Sequence, residues 1–259
     1  MCLKKLLICL KTGRCVEEEI KISKKIDFGV VIPHHDRDDL LKECISSIPK
    51  GIFYLVTSKG TFSENNNRGF KKLREAGVKK VMFLNDDVII NKECWNEMMQ
   101  LSKTFDIVGA RTIFLDGKPE NFGGEIVYKY DWRDWVCFHT FEDNNRWIVP
   151  CGACFIISSD VFEKCGMFNE SYKNSCEDTE LFLTAREMGY SIVQTKSTMV
   201  HRTGQSAGRY DQDHPNAVLL SQRFSLERVK SIVEKVRLGR LKLRKVTKSQ
   251  KVLIDRMLA

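Results

Sequence analysis

Between residues 28 and 84 the sequence alternates apolar runs with amphipathic segments, and this alternation restricts the fold more than any other feature. Apolar runs at residues 28–32, 52–56 and 81–84 have the length and composition of buried strands. Residues 38–48 and 67–76 place apolar side chains on one helical face. Strand, helix, strand, helix, strand predicts an α/β fold with a Rossmann-like, mostly parallel central sheet flanked by helices.

The second half of the chain is less regular but continues the α/β pattern. Its predicted strands are short apolar runs at residues 106–110, 125–128, 191–194 and 198–200. A longer apolar run, WIVPCGACFIIS, spans residues 147–158. Helical periodicity predicts helices at residues 159–165, 178–188 and 216–246.

Charge separates the C-terminal end from the rest of the chain. The 259 residues are 42% hydrophobic, enough for a core, and carry a net charge of +8. Residues 223–251 hold 11 Lys or Arg against two acids, so the remainder is close to neutral. The predicted organisation is an N-terminal extension (1–26), one α/β domain (27–215) and a basic helical C-terminal appendage (216–259).

The cysteines and the N-terminus favour a cytoplasmic protein with mostly reduced thiols. The chain has ten cysteines, but it is large and its N-terminus lacks a small-residue cleavage site. No apolar run reaches the roughly 20 residues of a membrane span. Cys151 and Cys154 have the spacing of a redox or zinc pair. Because they lie in an apolar run without a second pair, packing is the preferred interpretation.

Polar residues follow two of the predicted strands, where ligands bind in parallel sheets. The tetrapeptide PHHD at residues 33–36 follows the first strand, and NDD at residues 85–87 follows the third. Asn and Asp are also common turn formers, so a plain turn remains open for the carboxylates alone. The segment CEDTE at residues 176–180 could likewise only cap a helix, and His201 could be a structural histidine.

Taken together, these segments carry a family pattern. The strongest matches are VPCGACFIISSDVFEKCGMFNESY at residues 149–172 and CEDTELFLTAREMGYSIV at residues 176–193. VVIPHHDRDDLLKECISSI, NNNRGFKKLREAG and FLNDDV precede them in the expected order. Over residues 27–208 the chain resembles a family 2 glycosyltransferase with a GT-A fold, and FLNDDV resembles its DXD-type metal site in Asn-Asp-Asp form.

The resemblance implies that a sugar is transferred, with inversion, from a nucleotide diphosphate sugar to a hydroxyl of a glycan, lipid-linked glycan or protein. It implies Mn²⁺ or Mg²⁺ as cofactor, with Asp87 and His201 as ligands and Asp86 on the metal or the ribose. It implies Asp178 as the base that takes the acceptor proton, with Glu177 as the second candidate.

Further site residues follow from the same resemblance. The implied nucleotide contacts are Pro33, His34, Asp36, Arg68, Asn85 and Asp86. Gly152, Ala153 and Trp147 would line the donor and acceptor pocket, and Trp132 and Trp135 could stack on sugars or fill the core. Residues 56–60, VTSKG, lack the carboxylate that many relatives use to contact the base. Because this contact is missing, UDP is only a default, and GDP and dTDP remain open.

Two other functions remain possible. A sugar-phosphate nucleotidyltransferase would also use an α/β sheet and metal-binding carboxylates, but no Gly-rich basic loop follows the first strand. A non-catalytic module that binds nucleotide sugar or a partner is disfavoured because Asp87, Asp178 and His201 are all present.

The basic C-terminal segment suggests a surface for a partner. Its Lys and Arg residues alternate with Ile232, Val233, Val236 and further apolar residues, as in helices that lie on anionic membranes. A solvated helix explains the charge equally well. Nucleic-acid binding is not favoured, because no aromatic residues are interleaved with the bases.

Overall fold

The computed structural model describes residues 4–9, 15–20, 26–130, 133–144, 146–203 and 213–243. The strands are β1 (Lys4–Cys9), β2 (Cys15–Ile20), β3 (Phe28–Pro33), β4 (Tyr54–Thr57), β5 (Lys80–Leu84), β6 (Val88–Ile89), β7 (Ile107–Ile113), β8 (Pro119–Asn121), β9 (Gly124–Tyr130), β10 (Arg133–His139), β11 (Cys154–Ser158) and β12 (Ile192–His201). The helices are α1 (Asp38–Ser47), α2 (Phe62–Glu75), α3 (Lys92–Leu101), α4 (Ser159–Lys164), α5 (Glu177–Glu187), α6 (Asp213–Arg223) and α7 (Leu226–Leu243).

One mixed sheet forms the centre of the fold. Its strand order is β4-β3-β5-β11-β7-β12-β6, with β8 paired to β7. Strand β3 is parallel to β4 and β5, and β7 is parallel to β12. Strand β11 is antiparallel to both of its neighbours, and β6 and β8 pair antiparallel with β12 and β7. The sheet is therefore mixed, and the predicted parallel pairing is confined to β4-β3-β5 and to β7–β12. Two antiparallel pairs, β1–β2 and β9–β10, lie outside this sheet.

Alternation along the strands divides the core into two layers. Val30 and Ile32 face the layer that contains the buried side of α1 and α3, including Cys44 and Trp95. Val31 faces the other layer, which contains buried residues of α2, α4, α5, α6 and α7. Successive strand residues point to opposite faces, so a strand covered on both sides is apolar throughout. Helix α3 was not predicted from the sequence.

Helix α2, which follows β4, begins earlier than predicted. Thr61 precedes α2, and its hydroxyl accepts a hydrogen bond from Glu64 N at 3.3 Å. The Glu64 carboxylate accepts one from Thr61 N at 2.7 Å. This reciprocal capping box satisfies backbone donors that the first helical turn leaves free. Helix α2 therefore begins at Phe62 and not at residue 67.

The C-terminal segment forms two helices and not one. The helix is interrupted between Arg223 and Leu226, and Phe224 in this connection is buried. Val229, Ile232, Val233 and Val236 of α7 are also buried in the domain core. Packing against the domain covers these four side chains, so they do not face a membrane, whereas Leu238 of the same helix is 49% exposed. Peripheral membrane attachment stays a prediction. Positions 244–251 of the basic segment lie outside the described residues. Among the described residues, no helix is both long and apolar enough to cross a membrane.

Buried thiols and tryptophans belong to the core. Cys151 and Cys154 are buried, and burial raises the pKa of each thiol well above its ordinary value. This confirms the packing interpretation of the pair. Trp135 is 2% exposed, and its Nε1–H donates to Phe224 O at 2.9 Å, so its role is structural. Trp132 lies outside the described residues.

Candidate active site

Three chain segments meet at one edge of the central sheet. Strands β3 and β5 run parallel, so the residues after Pro33 and Leu84 emerge side by side. Strand β11 runs in the opposite direction and pairs Cys154 with Leu84, which brings Gly152 and Ala153 to the same edge. The residues before β11 therefore lie beside the carboxyl ends of β3 and β5, where ligands bind in such sheets.

Backbone contacts fix the Asn-Asp-Asp segment at this edge. Asn85 N donates to Ala153 O at 2.9 Å, and Arg202 N donates to Asp87 O at 3.0 Å. Strand β6, directly after the segment, pairs with β12 so that His201 lies opposite Val88. This register explains why Asp87 and His201, which are more than 100 positions apart in the sequence, lie next to each other.

Asp86 contacts His34, the residue that follows strand β3. Its Oδ2 lies 2.7 Å from His34 Nδ1, and His34 Nε2 lies 3.0 Å from the exposed Asp38. The hydrogen bond to Asp86 raises the pKa of His34, although burial opposes the shift. Asp86 therefore joins the two predicted ligand segments and orients His34.

Asp87 and Glu120 lie on opposite sides of His201. His201 Nε2 is 3.2 Å from Asp87 Oδ1, and its Nδ1 is 3.2 Å from Glu120 Oε2. Thr203 and Thr112 donate their hydroxyls to Glu120. Burial by itself would lower the pKa of His201, but the two carboxylates outweigh it and raise the pKa to about 9. Burial likewise opposes ionisation of Glu120, yet its hydrogen-bond partners lower its pKa to about 2.

Asp87 and His201 fit a divalent cation. Asp87 Oδ1 is buried and accepts no aligned hydrogen bond, so its lone pairs are directed only at the His201 contact. Within the described residues, no group of three or more His, Cys, Asp or Glu side chains could hold a metal alone. Mg²⁺ commonly takes one or two protein carboxylates and completes its shell with water and substrate phosphates. Asp87 supplies one carboxylate to such a shell, and His201 would add an imidazole nitrogen once the cation displaces its Nε2 proton.

Asp178 lies at the beginning of α5, against Gly152. Its Oδ1 accepts a hydrogen bond from Thr179 N at 2.6 Å. A methyl group at Gly152 would lie 2.0 Å from Asp178 Oδ2, so only glycine leaves room for this carboxylate. An acidic side chain in the first turn of a helix interacts favourably with the helix dipole. Buried Glu177 occupies the adjacent position.

A cavity of about 180 Å³ unites most of the predicted residues. The predicted residues that line it are Pro33, His34, Asn85, Asp86, Asp87, Gly152, Ala153, Glu177, Asp178 and His201. The structure thus brings the predicted metal, base and nucleotide segments to one space.

Three predicted site residues do not line this cavity. Asp36 is exposed beyond its edge. The Arg68 guanidinium donates to Ser58 O and Asn65 Oδ1, which directs it into the loop before α2. Trp147 packs against the core, with Arg186 5.3 Å from its ring centre.

Other cavity residues carried no sequence signal. Among them are Glu120, Asn121, His139, Asn174 and Thr203. Glu120 lies on the three-residue strand β8, whose position depends on pairing with β7. Only a contact with His201 identifies it, and that contact joins residues 81 positions apart.

The His201 pair makes stability dependent on pH. The pKa of His201 rises from 6.5 to about 9 on folding, so its contribution is fully present below pH 6.5 and is lost as the pH rises through about 9. The shift corresponds to at most about 3 kcal/mol. We expect the Tm of metal-free protein to fall over this interval, and His201→Gln to flatten the fall. Thermal scans in the presence of a chelator test both expectations.

Comparison with known proteins adds independent information. No protein-family model matches the chain. The low-salt glycan biosynthesis hexosyltransferase Agl10 of Haloferax volcanii is 29% identical over 196 residues, covering 69% of this chain and 61% of that protein. The O-antigen biosynthesis protein RfbC of Myxococcus xanthus is 22% identical over 243 residues, covering 73% of this chain and 18% of that protein. The chain therefore spans less than two thirds of either relative.

The fold is also similar to that of a solved protein. Residues 1–349 of S. aureus TarS superpose with a TM-score of 0.51 at 15% identity, covering 82% of this chain and 70% of that one. TarS in complex with UDP-GlcNAc gives a TM-score of 0.51 at 17% identity, covering 76% and 67%. At these identities the likeness shows the fold alone.

Fold and relatives point to the same class of protein. The chain has the GT-A fold found in glycosyltransferases, as the motifs predicted. It is similar to a curated hexosyltransferase, in agreement with the class that the sequence predicts, and the activity itself stays a proposal. Assignment to family 2 stays a prediction.

Proposed function

We propose that the protein is a metal-dependent inverting glycosyltransferase that moves a hexosyl group from a nucleotide diphosphate sugar to an acceptor hydroxyl. One observation carries the proposal: Asp178 and the Asp87–His201 pair line the same cavity. A base and a diphosphate-binding end are thus available to one substrate pair. The glycan-biosynthesis names of the relatives support a glycan acceptor, free or lipid-linked. The UDP-GlcNAc bound to TarS supports UDP as the default nucleotide.

Asp178 performs the proton transfer in this proposal. Thr179 N holds its Oδ1, which leaves Oδ2 toward Gly152 and the cavity. The acceptor hydroxyl gives its proton to this carboxylate while its oxygen bonds to the anomeric carbon. The bond from that carbon to the diphosphate breaks on the opposite face, and its electron pair leaves on the phosphate oxygen. This single displacement inverts the anomeric centre and needs no covalent nucleophile.

Asp87 and His201 would hold a divalent cation at the diphosphate end of the cavity. That cation would neutralise the charge of the departing diphosphate. Carboxylate and phosphate oxygens suit both manganese and magnesium, and His201 would add one imidazole nitrogen. Glu120 orients His201 from behind, as carboxylates do for metal-bound histidines in general.

The nucleotide occupies the side of the cavity formed by β3, β5 and the beginning of α2. Pro33, His34, Asn85 and Asp86 line this side. The segment after β4 offers no carboxylate, but Phe62 and Asn65 at the beginning of α2 also line the cavity. An aromatic ring and an amide can contact a base without a negative charge.

Donor screening tests the function. Nucleotide sugars with uracil, guanine and thymine bases are incubated with Mn²⁺ or Mg²⁺, and nucleotide release and thermal stabilisation are measured. We expect a UDP-sugar to stabilise the protein and to release UDP only with the metal. Pyrophosphate release from a nucleoside triphosphate and a sugar phosphate would instead indicate a nucleotidyltransferase. Binding without turnover across an acceptor panel would indicate the non-catalytic module.

Substitution of Gly152 tests the position of the base. We expect Gly152→Ala to lower transfer by about 10²-fold, because the new methyl group displaces the Asp178 carboxylate. Overpacking should lower the free energy of unfolding by only about 1–3 kcal/mol. Gly239→Ala is the control, since no atom lies within 4 Å of the added carbon. Initial rates and urea unfolding distinguish the two effects; equal rates for both variants would contradict the assignment.

A further inference from the structure

The loop that leads into α5 is held by one buried side chain of α6. Asn216 is 4% exposed. Its Nδ2 donates to Lys173 O and Ser175 Oγ, both at 2.9 Å, and its Oδ1 accepts from Lys173 N at 3.4 Å. The amide thus binds the loop at both ends of a three-residue stretch.

This loop contains backbone conformations that need support. Asn174 has φ 65° and Cys176 has φ 71°, in the left-handed region that side-chain-bearing residues rarely adopt. Cys176 is the N-cap of α5, and its side chain makes no capping hydrogen bond. Left-handed residues other than glycine persist where surrounding contacts fix them, and they cluster at functional sites. Asn216 supplies such contacts on both sides of Asn174.

The first turn of α5 transmits this loop geometry to the site. Asp178 follows Cys176 by two positions, and Glu180 N donates to Cys176 O at 2.9 Å as an opening hydrogen bond of the helix. Helix α6 makes a second contact here, because Arg223 Nε lies 2.7 Å from the Glu180 carboxylate. The direction in which Asp178 projects therefore depends on contacts made by α6.

We propose that Asn216 is a positioning residue that aims Asp178 at the acceptor by holding the left-handed loop before α5. The proposal rests on the proposed function, in which Asp178 is the base. It makes α6 part of the active-site framework, although this helix lies at the boundary predicted for a separate appendage.

Amide hydrogen exchange tests the clamp without any substrate. We expect exchange at Glu180 N to become about tenfold faster in Asn216→Ala, because the first turn of α5 opens more often. Asn216→Asp keeps the side-chain volume but loses the hydrogen bonds that Nδ2 donates to Lys173 O and Ser175 Oγ, so exchange at Glu180 N should also be faster. This variant replaces Asn216→Ala if the alanine variant does not fold. Cys165 N, which donates to Val161 O in α4, should exchange at the wild-type rate. Unchanged exchange at Glu180 in the folded variant would overturn the proposal.

Kinetics test the consequence for Asp178. We expect Asn216→Ala to lower kcat by about 10²-fold with the donor KM unchanged, since misplacement of a catalytic group affects the chemical step. Gln222→Ala, which removes an exposed amide from the same helix, should have the wild-type kcat.

Rescue separates positioning from general stability. Glycine adopts positive φ without steric strain, so Asn174→Gly with Cys176→Gly should restore part of the kcat in the Asn216→Ala background. A kcat near that of the wild type in Asn216→Ala, or no recovery in the triple variant, would contradict the positioning role. Absence of turnover in the wild type would count against the proposed function, whereas the exchange result still decides whether the clamp exists.

Discussion

Replacement of Asp178 by Asn is expected to lower kcat by about 10²–10⁴-fold, the usual contribution of a general base. An amide has the shape of the carboxylate but cannot accept the acceptor's proton at neutral pH. Its oxygen can still accept the hydrogen bond from Thr179 N, so α5 should remain in place. Because the proposed nucleotide contacts lie at the ends of β3 and β5 and at the beginning of α2, binding of UDP should be unchanged. Steady-state rates and calorimetric titration with UDP measure the two quantities.

Asp160 provides a matched control for Asp178. It occupies the second position of α4, as Asp178 does in α5. Its side chain is 64% exposed and pairs with Arg74 at 2.5 Å, an arrangement worth little stability. Asp160→Asn should therefore retain full activity. If Asp178→Asn also retains it, the base assignment is wrong, and Glu177→Gln becomes the variant that identifies the proton acceptor.

Replacement of Asp87 by Ala is expected to remove metal-dependent nucleotide binding. A cation at a diphosphate is worth several kcal/mol, so the affinity for UDP in the presence of Mn²⁺ should fall by about 10²-fold or more. Without Asp87, His201 retains only Glu120 as a charged neighbour, and the cation loses its carboxylate ligand. Mn²⁺ titration followed by electron paramagnetic resonance measures the metal affinity directly, independently of turnover.

Asp86 distinguishes a metal ligand from a neighbouring carboxylate. Asp86→Asn keeps the side-chain shape but weakens the pair with His34, which lies 2.7 Å away. We expect it to reduce Mn²⁺ affinity far less than Asp87→Ala, because Asp86 is hydrogen-bonded to His34, whereas the buried Asp87 Oδ1 has no aligned hydrogen-bond partner. Equal losses in both variants would show that the two carboxylates share the cation.

Patterns of short range predicted the first half of the fold well. Strands β3, β4 and β5 and helix α1 lie within a few residues of their predicted positions. The same patterns failed where long-range pairing decides the structure. The predicted strands at residues 191–194 and 198–200 are one strand, β12, because pairing with β7 continues through an irregularity between Gln194 and Thr198. The apolar run at residues 147–158 does not reveal that β11 is antiparallel. A strand buried on both faces has the same apolar sequence whichever way it runs relative to its neighbours.

Motifs predicted most of the cavity residues but could not predict their partners. Asp87, Asp178 and His201 were identified through the resemblance to the glycosyltransferase family, and all three line one cavity. Glu120 and Asn216 were not identified, since each is a single polar residue in a short or basic segment. Arg68 and Trp147 were assigned to the site, but hydrogen bonding directs Arg68 into a loop and packing holds Trp147 against the core.

Residue order alone was sufficient for the α/β class and for the chemical types at the sheet edge, because hydrophobic periodicity and turn residues act over a few neighbouring positions. Tertiary structure alone decided which side chains meet. Pairing of β6 with β12 places His201 beside Asp87, and packing of α6 places Asn216 on the loop before Asp178. Such contacts join positions far apart in the chain, and their geometry depends on strand register and helix packing that no local pattern specifies.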